Sequence, residues 1–166
     1  PTMILSRDAA LYGIIKQAWP QIGSQESDGT YILRQVSPPY INLTISELRG
    51  LVDIIYLTDD SCEECYNVSL HMEILTSPQS FAVRLEKEEQ FDISSSRGKE
   101  LIEKYNITQV PTVILSKEVE AYPAAQALKQ FFSAEEDAYV FRQASALGTY
   151  KDLAANQIVK AVEEKQ

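Results

Sequence analysis

Two cysteines, Cys62 and Cys65, are the only ones in the chain, and they enclose Glu63 and Glu64. A three-residue spacing lets two sulfurs close into a disulfide and open again. They follow the apolar run Leu51–Leu57 and the turn residues Thr58, Asp59 and Asp60, which read as a buried strand ending in a turn. Apolar residues at Val68, Met72 and Leu75 extend a helical pattern back to Cys65, so the spacing predicts a helix over 65–75 with Cys62 at its cap. Free amide N–H groups and the positive end of the helix dipole would then favour a thiolate on Cys62. Glu63 and Glu64 oppose this, because like charges disfavour ionisation. The balance favours the disulfide form and points to a reductase or isomerase rather than a strong oxidant. A purely static bridge would gain little, since closing so short a loop removes little chain entropy.

A second signal lies at Val110-Pro111-Thr112, which opens the apolar run Val113-Ile114-Leu115. Proline cannot donate to a strand ladder, so its place at a strand start needs a reason. The order strand, turn, CxxC, helix, then strand, helix and Val-Pro-Thr strand resembles the thioredoxin superfamily. That resemblance implies an α/β thioredoxin-like fold, a mixed central sheet flanked by helices. It implies a cis bond before Pro111, with the proline lying against the cysteines. It makes Cys62 the exposed attacking thiol and Cys65 the buried resolving one. Val110, Pro111 and Thr112 become the substrate-binding edge for an extended client. The partners it implies are protein thiols and disulfides together with an electron donor or acceptor, and no cofactor or metal is expected. This chain departs from the family in several places. Ser61 stands where thioredoxin has Trp, and Tyr56 where it has a buried Asp. The strand-to-cysteine spacing looks more like glutaredoxin, yet no Gly-Gly-Asp element follows the proline strand, so glutathione use is not expected.

Around these motifs the expected elements are a strand over 81–85, a charged connection over 87–90, and a helix over 98–105 closed by Asn106 in a left-handed cap. A helix over 124–132, started by Pro123, forms a helical insertion after the proline strand. A strand over 139–144 and a closing helix over 150–163 complete the expectation.

The N-terminus repeats part of this. Pro1-Thr2-Met3-Ile4-Leu5-Ser6-Arg7-Asp8 parallels Pro111-Thr112-Val113-Ile114-Leu115-Ser116-Lys117-Glu118, and Tyr12 parallels Tyr122. Further on, Tyr31-Ile32-Leu33-Arg34-Gln35-Val36-Ser37 parallels Tyr139-Val140-Phe141-Arg142-Gln143-Ala144-Ser145. Two blocks in one order suggest an internal repeat. Residues 1–44 are therefore read as the back half of a preceding thioredoxin-like repeat, and 45–166 as a complete domain carrying CxxC. Expected in the first part are a helix over 9–19, a polar turn over 23–29, a strand over 30–36 and a short helical or turn segment over 45–48. A half-domain exposes sheet edges, so association through it, including a homo-oligomer, is expected.

The 166 residues carry 45% hydrophobic and 23% charged side chains, a globular balance, with a net charge of −9. That charge argues against nucleic acid or anionic lipid as partners. No apolar run reaches the roughly 18 residues of a membrane span, and no signal peptide is visible. The absence of further cysteines leans toward an extracytoplasmic or tethered location. His71 is the only histidine, and with two cysteines it leaves the set short of a four-ligand zinc site. Asn42, Asn67 and Asn106 fit glycosylation patterns, the second inside the expected helix. The competing function is a non-catalytic thioredoxin-like module that holds a peptide beside Pro111, its disulfide structural.

Overall fold

The computed structural model describes residues 2–161, which fall into two compact units divided between Arg49 and Gly50. In the first unit, β1 (Ile4–Leu5) leads through a 3-10 turn (Arg7–Leu11) into α1 (Gly13–Ile22), then β2 (Gly23–Gln25) and β3 (Tyr31–Leu33). β3 lies between β1 and β2, antiparallel to both. The expected helix over 9–19 is thus displaced, and the expected turn at 23–29 begins as a strand. β4 (Tyr40–Asn42) and β5 (Glu47–Arg49) form a separate hairpin, so 45–48 is turn and strand rather than helix. Its turn is set by Ser46 at φ 57 and by the Thr44 N–H donating to Asn42 Oδ1 at 3.0 Å.

The second unit is mixed α/β. β6 (Leu51–Thr58) is an eight-residue β-rich run in which Val52, Ile54, Tyr56 and Leu57 are buried. α2 (Leu70–Thr76) follows it, then β7 (Arg84–Asp92), α3 (Ser96–Tyr105), β8 (Gln109–Val110) and β9 (Thr112–Ser116). A 3-10 turn (Lys117–Ala121), α4 (Ala125–Leu128), β10 (Phe132–Ala134) and β11 (Ala138–Phe141) come next, and β12 (Tyr150–Asp152) with β13 (Gln157–Val159) closes the described chain. The central sheet has the order β10-β11-β9-β6-β7. β6 and β7 are parallel and the other neighbours antiparallel. Leu75 of α2 packs with Val52, Ile54 and Leu115 on one face, and Leu101 and Tyr105 of α3 pack with Ile114 and Val140 on the other.

Four expectations are corrected here. The run 87–90 is not a connection: it lies inside β7, whose place at the sheet edge tolerates alternating charges. The helical insertion shrinks to a 3-10 turn and one turn of α4, because Phe132 leaves the helical pattern to pair with Phe141. The expected helix over 65–75 begins only at Leu70. The closing helix is a hairpin instead: Asp152 Oδ1 accepts the N–H groups of Ala154 and Ala155, each at 2.9 Å, and Asn156 takes φ 48. Those local bonds stabilise a turn where an alanine-rich stretch reads as helix. The end of that expected helix, 162–163, and Pro1 lie outside the described residues. Asn106, at φ 48 and ψ 53, caps α3 as expected. Among the described residues no helix is long and apolar enough to cross a membrane.

Candidate functional site

The loop between β6 and α2 holds the cysteines. Its conformation is set by side chains that compete with helix formation. Asp59 Oδ1 accepts the Ser61 N–H at 2.8 Å and the Ser61 hydroxyl at 2.5 Å, while the Cys62 N–H donates to Asp59 O at 2.9 Å. Asn67 Oδ1 accepts the Ser69 N–H at 3.0 Å just before α2 begins. Cys62 and Cys65 are joined in a disulfide with their Cα atoms 5.4 Å apart. The pair therefore sits in a turn, not at a helix N-terminus, and the expected dipole stabilisation of Cys62 is absent. Taken as whole residues, the exposures run against expectation: Cys62 is buried, at 9%, and Cys65 half-buried. Cys62 is held in by the backbone bond to Asp59.

The Val110–Pro111 peptide is cis, and Cys65 Sγ lies 4.0 Å from Val110 O. Thr112 is buried and donates its hydroxyl to Phe141 O at 2.7 Å. Cys62, Cys65 and Pro111 line one open cavity of about 320 Å³ with Tyr56, Glu88 and Gln90. The three predicted substrate-binding residues differ in availability. Pro111 faces the cavity, Thr112 is committed to β9, and Val110 pairs with Lys151 of β12.

Several residues at the site carried no signal in the sequence. Lys151 reaches Asp59 Oδ2 in a close ion pair across 92 positions, both side chains largely buried. Burial pushes the Asp59 carboxyl up, but the bonds from Lys151 and Ser61 outweigh it and leave the group below the usual carboxylate range. Lys160 of the same C-terminal stretch pairs with Glu64 at 2.9 Å in solvent. Tyr66 N–H donates to Thr149 O at 2.9 Å, next to Gly148, where φ is +149 and an added Cβ would meet Tyr66 Cβ at 2.9 Å. The hairpin thus holds the cysteine loop at Asp59, Glu64 and Tyr66.

Tyr66 Oη donates to Pro111 O at 2.8 Å and lies 3.0 Å from His71 Nε2. Since the hydroxyl proton goes to Pro111, His71 donates from Nε2 to Tyr66, which assigns the neutral tautomer. Burial holds the imidazole down to about 4, and its ring packs edge-on against Phe141 at 4.6 Å. His71 is thus a fixed support of the proline loop, standing on Tyr66. Tyr56 Oη is buried and has no hydrogen-bond partner among the described residues. Burial first, and the Glu88 carboxylate second, keep this phenol protonated well above its ordinary range. Compared with protein-family models, with curated proteins and with solved structures, the chain matches none.

Proposed function

We propose that the protein is a thiol–disulfide oxidoreductase of thioredoxin-like build, acting on protein disulfides through Cys62 and Cys65 as a reductase or isomerase. The observation that carries this reading is the Cys62–Cys65 disulfide beside Pro111, both facing one open cavity. In the reduced state a thiolate of the pair attacks a client disulfide. One S–S bond forms, the client's breaks, and a client thiolate leaves. The second cysteine, as thiolate, then attacks the mixed disulfide, releasing the client dithiol and closing Cys62–Cys65. Two electrons pass to the client, and a dithiol partner restores the pair. Of the carboxylates near the cysteines in the chain, Asp59 is paired with Lys151 and Glu64 with Lys160, so the lean toward the reducing direction rests on Glu63 and on the absence of a helix N-terminus at Cys62.

Cys65 is the more exposed residue of the pair, which supports it as the one a client reaches first. Reduction of an insulin-type substrate disulfide is expected to vanish in both Cys62→Ser and Cys65→Ser. Cys62→Ser, which leaves Cys65 free, is expected to trap the greater share of mixed disulfide. The burial of Cys62 favours a second reading, a peptide-holding module with a static bridge. Unchanged client binding in both variants, with a bridge that resists a strong dithiol buffer, would establish that reading instead.

A further inference from the structure

The two units share strand registers as well as sequence. β1 pairs with β3 at Ile4↔Ile32 and Leu5↔Tyr31, and β9 pairs with β11 at Ile114↔Val140 and Leu115↔Tyr139. β2 meets β3 at Gly23↔Leu33, and β10 meets β11 at Phe132↔Phe141. The hairpins agree too, Tyr40↔Arg49 with Tyr150↔Val159, and their turns carry Ser46 and Asn156 at φ 57 and 48. A side-chain network recurs with them. Arg34 Nη2 donates to Glu26 at 2.8 Å and Nε to Ser24 Oγ at 3.0 Å; Arg142 Nη2 donates to Glu135 and Nε to Ser133, both at 2.9 Å. Such partly exposed bonds add little stability, so their recurrence reflects shared architecture rather than energetic need.

What differs is the cover. Val113, Ile114 and Tyr122 are 0%, 3% and 5% exposed, whereas Met3, Ile4 and Tyr12 are 53%, 65% and 67% exposed. In the second unit the cover is the Gly50–Tyr105 half: β6 pairs with β9 at Ile54↔Leu115 and Ile55↔Ile114. The Tyr122 hydroxyl spends both its bonds there, donating to Gly50 O at 2.6 Å and accepting the Arg84 N–H at 2.8 Å. β1 has β3 on one side and no strand on the other among the described residues.

We propose that Thr2–Arg49 is the back half of a second domain, and that its open face takes a strand–helix–strand–helix segment built like Gly50–Tyr105. That segment is polypeptide other than residues 2–161. A second copy of this chain does not fit the role, because its own Gly50–Tyr105 half is already buried against β9 and β11. The occupant presents an apolar strand antiparallel to Ile4–Leu5 and a backbone carbonyl to Tyr12.

The probe is a polypeptide of residues 50–108, titrated onto the full chain and followed by amide exchange. Its docking is expected to slow exchange at Ile4, whose N–H faces the open edge, at least tenfold, saturating at one probe per chain. Tyr12→Phe, a change at an exposed side chain, is expected to weaken docking roughly fivefold, the effect of one hydrogen bond. Leu48→Asp is expected to leave it unchanged, since the counterpart Ile158 stays 44% exposed in the complete unit. The same probe joined ahead of Thr2 by a flexible linker, at high effective concentration, gives a second readout in the unfolding midpoint of Trp19. No protection and no midpoint shift in the linked form would overturn the proposal. So would protection that ignores Tyr12→Phe, or a dimer of the unmixed chain protecting the same amide.

Discussion

His71 and Asp59 show how single side chains hold this site. An unfolded histidine takes up a proton near pH 6.5, whereas burial holds folded His71 down to about 4. Between those values the unfolded chain binds the extra proton. The histidine's contribution to stability is therefore full above pH 6.5 and is lost as pH falls toward 4, at up to about 1.4 kcal/mol per pH unit. Urea unfolding at about pH 7 and about pH 5 checks this against His71→Gln, which keeps a donor for Tyr66 and is expected to flatten that part of the slope. Asp59→Asn leaves Lys151 charged and largely enclosed. The expected loss is about 3 kcal/mol, the cost of breaking a buried pair from one side. Removing the exposed Lys160–Glu64 pair with Lys160→Ala is expected to cost less than about 1 kcal/mol. The same denaturation curves separate the two pairs.

At the scale of elements, strands with strong apolar runs were legible and short-range turn chemistry was not. β6 and β9 stand where Leu51–Leu57 and Val113–Leu115 place them, and α3 ends at Asn106 as its left-handed cap predicts. β7 was only half visible, because an edge strand carrying Glu86, Lys87, Glu88 and Glu89 has no apolar alternation to show. The β12–β13 hairpin was missed entirely: its stretch contains no glycine, and the turn is made by Asp152 and Asn156. Of the candidate site, Cys62, Cys65 and Pro111 were legible through spacing and order. Lys151 and Thr149 were not, since they reach the cysteine loop only through that unread hairpin.

At the scale of the molecule, the two units differ in how far each is closed. The second encloses apolar clusters on both faces of its sheet. The first buries Trp19 against Tyr31, ring centroids 5.6 Å apart, yet leaves Ile4, Leu11 and Ile14 in solvent. Trp19 is the chain's single tryptophan, so it reports the first unit alone. Its fluorescence is expected to change at lower urea than the far-ultraviolet dichroism midpoint; coincident transitions would contradict this. The pairing of Val110 with Lys151 has its own outcome for recognition. Under the proposed function, a guest peptide arriving at the proline would find that rung of the ladder already taken by the host. On that proposal, selectivity would come from side-chain fit around Tyr56, Glu88 and Gln90, and from the sulfur chemistry, rather than from main-chain zippering.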